Sequence, residues 1–231
     1  MTTAGPKTGR ESAFFKEQLA LIPERYSPRA HLAATVGIGL MAIIVGAAAI
    51  DAFRWVFVPV AAAFLVFANF VEWAAHRWIL HRRRRFLEPL YDQHVPRHHR
   101  FYIDGDMAVG SRREWRFVLM PARGVLAIAV LAIPLALLVG ALCGADCGWV
   151  ALMTVGSYAS LYELMHLAYH LPDDHPVRRV RTTRRVIRWL SRHHAHHHDP
   201  RLMQDWNFNV TVPLWDFLLG TNRWGRKAQE P

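Results

Sequence analysis

At 231 residues the chain is the size of one domain, and its 52% hydrophobic fraction lies mostly in long apolar runs. Runs of that length point to a membrane protein rather than a soluble core. The formal charge of +10 would suit nucleic acid or a basic membrane face, and the placement of the charges decides between them. The two cysteines, Cys143 and Cys147, fit neither zinc-finger nor thioredoxin spacing.

Residues 1–30 read as a cytoplasmic N-terminal segment, polar at first and then mildly amphipathic. Phe14, Phe15, Leu19, Leu21 and Ile22 would lay a short helix on a membrane surface; a disordered tail is the other reading. No apolar stretch of signal-peptide type lies near the start. The first predicted span, 31–50, is 20 residues without a charge, long enough for a hydrocarbon core of roughly 30 Å. A polar break follows at Asp51–Arg54. The second span, 53–80, would be about 42 Å long as a helix, so it tilts or protrudes. Glu72 and His76 lie near its far end, with His81 just beyond.

Residues 81–116 are basic, and the run Arg82–Arg85 reads as an anchor to lipid headgroups. The third span, 117–143, contains Pro121 and Pro134, which membrane helices tolerate when neighbours satisfy the freed backbone groups. Cys143–Cys147 is a predicted turn, loosened by Gly144 and Gly148, whose thiols are either bonded or free. The fourth span, 149–171, ends in Glu163, His166 and His170. A basic, histidine-rich tail follows, and short helices are expected within 86–116 and 172–205.

Four crossings put both termini and the 81–116 segment on one side. Of the 28 Lys and Arg residues only Arg54 falls in the two opposite loops, so the basic side is cytoplasmic. That accounts for the net charge without nucleic acid. The expected architecture is all-α: a four-span helical integral membrane protein with a cytoplasmic histidine-rich metal-binding cap. The composition suggests a bacterial inner membrane.

Histidine then decides the chemistry. Ser191–Asp199 reads Ser-Arg-His-His-Ala-His-His-His-Asp. Alone it would pass for a solvated tract. Three more groups reach the same membrane face: His76 with His81, His94 with His98 and His99, and His166 with His170. Together with His194, His197 and His198 they make ten imidazoles, a natural number for two metal ions with exogenous positions to spare. Residues three or four apart on a helix share a face, so pairs within the last three groups are expected to share a metal. His76 and His81 lie about 140° apart on an ideal helix and suit two different metals, or a helix that ends between them. Imidazole suits iron, zinc, copper and nickel, so ligand type leaves the metal open.

Glu-Trp-Ala-Ala-His-Arg-Trp-Ile-Leu-His (72–81), His-Val-Pro-Arg-His-His (94–99), His-Leu-Ala-Tyr-His (166–170) and the 193–198 run resemble the fatty acid hydroxylase/sterol desaturase superfamily. The segment Asn-Phe-Asn-Val-Thr-Val-Pro-Leu-Trp-Asp-Phe-Leu-Leu-Gly-Thr (207–221) is similar to that family's close. The resemblance covers roughly residues 70–221, and residues 31–231 are expected to form one fatty acid hydroxylase-like membrane domain. It implies a di-iron oxygenase that hydroxylates or desaturates an unactivated C–H position of a membrane lipid, such as an acyl chain or sterol-like substrate. Dioxygen would be the oxidant, and zinc a possible substitute metal. The ten histidines carry over as metal ligands. Asn209 stands where the family often has glycine, in a turn that asparagine tolerates. The tail register has a second solution, His193, His196 and His197.

No dinucleotide fingerprint, haem motif or ferredoxin cysteine set is present, so electrons are expected from a separate donor protein and reductase. Glu72 and Glu163 would orient ligand imidazoles, or else face headgroups or pair with arginine. His31 reads as interfacial and His175 as a solvated loop residue. Two rivals stand beside the lipid oxygenase: a carotenoid hydroxylase, and a histidine-rich membrane protein that binds or transports metal. A transporter would line a path across the bilayer with its histidines, whereas these gather at one face.

Overall fold

The computed structural model describes residues 9–224. Among them every regular element is helical, apart from one isolated bridge between Ile103 and Asp106. The all-α expectation holds. The chain divides into two compact units, one made of Ser27–Val71 and Leu119–Leu164, the other of the remaining segments.

The first unit contains α2 (Pro28–Ala49), most of α3 (Phe57–Ala75), α6 (Ala122–Cys143) and most of α7 (Ala145–Tyr169). The Ser27 hydroxyl accepts from the Ala30 amide at 3.2 Å, and Pro28 opens α2 where a missing N–H costs nothing. Helices α2 and α7 meet at small residues. A Cβ on Gly39 would lie 2.3 Å from the Gly156 carbonyl oxygen and 2.1 Å from Ser160 Oγ. On the other side of α7, a Cβ on Gly148 would lie 2.6 Å from the Ala136 carbonyl. Such close backbone approach is how apolar helices gain contact area where lipid supplies no hydrophobic drive. Phe57 and Phe64 fill the remaining space against Cys147, Val150, Ala136 and Ala151.

Three helical stretches, Pro28–Ala49, Phe57–Leu80 and Arg112–Cys143, are long and apolar enough to cross a membrane. Helix α7 is 25 residues long but less apolar. Much of it is enclosed by its neighbours, and its polar groups find partners there: Ser160 donates to the Val36 carbonyl, and Glu163 accepts from the Met120 amide. An enclosed helix need not be apolar, because protein rather than lipid faces it. His31 contacts the Met120 carbonyl at 3.0 Å. The predicted Cys143–Cys147 turn contracts to Gly144 alone, at φ 100°, and Gly148 lies inside α7. Both thiols are free, and Cys147 Sγ donates across the turn to the Cys143 carbonyl at 3.3 Å.

The second unit contains α1 (Ala13–Ala20), the end of α3, α4 (Glu88–Gln93), α5 (Trp115–Val118), the end of α7, α8 (Pro176–Arg179), α9 (Arg184–His197) and α10 (Leu214–Leu218). Helix α1 forms as expected, but not as a free surface helix. Phe15 is buried edge-on against Phe101 at 4.9 Å, and Ile22 is buried, while Leu21 is 68% exposed. Arg97 and Arg113 tie the segment down through Gln18 and the Ile22 carbonyl. The expected short helices of 86–116 and 172–205 are α4, α5, α8 and α9.

Leucine at Gly39 would drive a side chain into the α7 backbone. It should lower stability by about 1–3 kcal/mol or more, read as a lower melting temperature in detergent. Alanine at Gly37, which meets nothing within 4 Å, should leave it unchanged.

Candidate metal centre

Ten histidines converge within the second unit, in two groups of five. His76, His81, His94, His99 and His197 form the first; His98, His166, His170, His194 and His198 form the second. Within each group the candidate ligand atoms all lie within 4.8 Å of one another, and every member is buried. The groups adjoin, with His99 stacked on His198 at 4.2 Å between ring centroids.

Backbone geometry sorts the rings. After Ala75 the α3 ladder loosens into a π-turn over His76–Leu80, and the His81 amide bonds to the His76 carbonyl five residues back. An i→i+5 bond carries residue 81 round over residue 76. The two rings therefore join the same group, where an ideal α-helix would have sent them to different metals. His94–His99 makes the same turn. His94 thus pairs with His99, five residues on, while His98 faces the second group. The expected sharing between His94 and His98 does not occur. On regular helix the four-residue rule holds: His166 meets His170, and His194 meets His198, while His197 turns to the first group.

The outer ring nitrogens show which nitrogen is free. His98 Nδ1 meets the Phe117 carbonyl at 3.1 Å, His170 the Met107 carbonyl at 2.8 Å, His197 the Trp206 carbonyl at 2.8 Å and His198 the Tyr102 carbonyl at 2.6 Å. His76 bonds the Phe208 carbonyl, and His166 that of Val118. A carbonyl only accepts, so in these six rings the proton sits on Nδ1 and the Nε2 lone pair points inward. His98 and His166 then place two lone pairs 3.1 Å apart with no proton to share. Burial, reinforced by neighbouring imidazoles, holds His94, His98, His99, His194, His197 and His198 well below the usual histidine pKa, so protonation does not relieve the clash. A cation between the rings would relieve it.

The spacing fits that role. Close Nε2–Nε2 contacts run from 2.9 Å for His76–His94 and His81–His197 to 3.3 Å for His170–His194. With metal–nitrogen bonds of about 2.0–2.1 Å, ligands at right angles lie about 2.9 Å apart. The two groups differ in support. Four of the five rings in the second are pinned by carbonyls; in the first, His81 and His99 have no partner at Nδ1.

The surroundings serve these carbonyls. Buried Asp216 accepts from the Phe208 and Asn209 amides at 2.9 and 2.8 Å, from Thr221 Oγ1 at 2.7 Å and from His193 Nε2 at 3.1 Å. Glu72 accepts from the Val210 amide and from the amide and hydroxyl of Thr211. Together they clamp the closing loop that presents the Phe208 carbonyl to His76. Both ring nitrogens of His76 are spent elsewhere, on Phe208 and His94, so Glu72 orients it through the loop rather than directly. Glu163 likewise holds the Met120 amide, and His166 is turned by Val118 and His98. Arg178, only 10% exposed at its side chain, donates to the carbonyls of Ala168, Tyr169 and Leu171 and to Ser191 Oγ. It thereby ties the end of α7, with His166 and His170, to α9, with His194 and His198.

Asp216 and Arg178 were missed in the sequence. The only cue for Asp216 was a lone acid in the apolar stretch Pro-Leu-Trp-Asp-Phe-Leu-Leu. The positive φ in the closing segment falls on Asn207, at 59°, and not on Asn209. Asn209 instead offers its side-chain oxygen to the Asp216 amide at 3.3 Å. Of the other histidines, His193 pairs with Asp216, His196 is 33% exposed at its side chain and lies 3.8 Å from Asp104, and His175 caps α8. The alternative tail register is therefore not the one that converges.

Alanine at His196 should leave the metal content of the purified protein unchanged, while alanine at His194 should strip metal from the second group. Metal analysis of the two variants checks the register directly.

Residues 61–221 match the fatty acid hydroxylase family. No curated protein matches the chain, and neither does any solved structure. A match over most of the chain, spanning all four histidine segments, shows that this protein belongs to the fatty acid hydroxylase family, within the fatty acid hydroxylase/sterol desaturase superfamily.

Proposed function

We propose that this protein is a membrane di-iron oxygenase that hydroxylates, or desaturates, an unactivated C–H position of a lipid chain. The observation that carries the reading is the pair of buried five-imidazole groups, each able to hold one cation, in which six rings turn an Nε2 lone pair inward. Family membership supports oxidoreductase chemistry on a lipid. Two irons bound there would supply dioxygen activation. The ten histidines named above would be the ligands, and zinc would fit the same nitrogens.

The chain's own groups do the remaining work. Carbonyls of Phe117, Val118, Met107, Tyr102, Trp206 and Phe208 set ring orientation and tautomer. Buried rings of Tyr102, Phe208 and Phe101 help exclude water, which protects a strongly oxidising site from side reactions. Hydroxylation balances as one C–H bond, one dioxygen, two electrons and two protons giving an alcohol and water. No dinucleotide or haem motif is present, so the electrons come from a separate donor protein with its reductase.

Alternation of apolar and basic segments supports four spans, with α7 as the fourth. It also supports a cytoplasmic cap, residues 1–30 and the C-terminus on that side, and residues 31–231 as one membrane domain. The alanine- and arginine-rich composition favours a bacterial inner membrane. A path of histidines across the spans would support metal transport, but only His31 of the four remaining histidines lies on α2, at its first turn.

Iron-grown protein purified in detergent should hold two irons per chain, with alanine at His98 or His197 losing iron. A chelator should remove the iron in two phases, the less-pinned first group emptying first. With a competent reductase and dioxygen, extracted lipids should gain a hydroxyl or a double bond. Absence of any oxidised lipid would sink the oxygenase assignment, and an oxidised carotenoid in a carotenoid-producing host would redirect it to carotenoid hydroxylation.

A further inference from the structure

Helix α9 has two faces with different tasks. Leu190, Ser191, His194 and His197 follow the i, i+4, i+7 stripe and are buried. On the other side Arg185, Arg188 and Arg192 repeat at three and four residues and are exposed. Arg179, Arg181 and Arg184 extend this patch, and between Asp174 and Asp199 the sequence holds no acid. Among the described residues none of these six arginines forms an ion pair. Six unneutralised guanidinium groups make a field that draws in an anionic partner and sets its orientation.

In the middle of the patch stands Trp189, 42% exposed. Its ring stacks on Trp224 at 4.8 Å and 21°, and Trp224 lies 5.3 Å from the His193 ring. His193 precedes His194 of the second group and is fixed by Asp216. A continuous series of packed rings thus leads from the basic surface to the edge of the histidine groups. A purely lipid-facing helix has no need of such a series.

We propose that the exposed face of α8 and α9 is the docking surface for an acidic one-electron redox protein, with Trp189 and Trp224 as its inward electron path. This rests on the oxygenase reading above. Each reduced donor would leave oxidised by one electron, and two encounters would deliver the pair that dioxygen chemistry consumes. No proton or bond changes hands at the surface. The arginines speed encounter and set register, while the tryptophans supply apolar contact area at the centre of the patch.

The test uses the full chain in detergent and an acidic plant-type [2Fe–2S] ferredoxin as the probe. At low salt the parent should bind it, weakening as salt rises. The combined change Arg185→Glu, Arg188→Glu and Arg192→Glu should weaken binding at least about tenfold. The same reversal at Arg82, Arg83 and Arg84 should leave it intact. Trp224→Leu should keep its iron but slow reduction by bound ferredoxin about tenfold or more, followed by stopped-flow absorbance. Equal affinity in both arginine variants would overturn the docking surface. So would quenching of Trp189 by brominated phosphatidylglycerol in nanodiscs, read as the difference from Trp189→Phe, since that assigns the face to the bilayer. A parent that binds ferredoxin through these arginines yet holds no iron would sink the oxygenase reading and leave the docking surface standing.

Discussion

Across 3.1 Å the Nε2 lone pairs of His98 and His166 face each other, and both Nδ1 protons are already given to carbonyls. Two acceptors so placed repel, and close Nε2–Nε2 contacts recur among the other buried rings. Protonation is opposed by burial, which disfavours the charged form. Divalent cations would satisfy the lone pairs, and metal binding in such a site would be coupled to folding. The clamps at Asp216, Glu72 and Arg178 make sense as devices that hold the rings against this repulsion.

That design moves the carboxylates one step away from the imidazoles. A carboxylate bonded directly to a ligand histidine is a familiar way to orient the ring. Here the direct partner is a backbone carbonyl in six rings, and the buried acids hold the loops that carry some of those carbonyls. A neutral carbonyl fixes the tautomer without adding negative charge next to the ring. The acids sit where amides and hydroxyls, rather than imidazoles, satisfy their oxygens.

Helix α9 links this interior to the outside. Its buried stripe carries histidines of both groups, and its outer stripe carries arginines around a partly exposed tryptophan. On the oxygenase reading proposed above, electrons would reach the site from a partner, and α9 is one element that touches both the histidine groups and the outer surface.

Composition and order alone determined much of this protein. Apolar runs and the side on which 27 of 28 Lys and Arg residues fall pointed to helical membrane segments. Four ordered histidine segments pointed to the family and to the ten rings that converge. These signals survive in sequence because hydropathy and residue type act locally. Grouping did not survive, because it depends on helical phase. A π-turn after Ala75 and another after Gln93 put rings five apart together, which the three-and-four rule of a regular helix forbids. The tail register likewise needed Asp216, brought to His193 from 23 residues away. Helix α7, read from the sequence as the fourth span, carries polar residues whose partners, such as the Val36 carbonyl and the Met120 amide, lie on distant segments. Only the tertiary structure could decide these points, since each turns on which atoms from distant segments share one buried space.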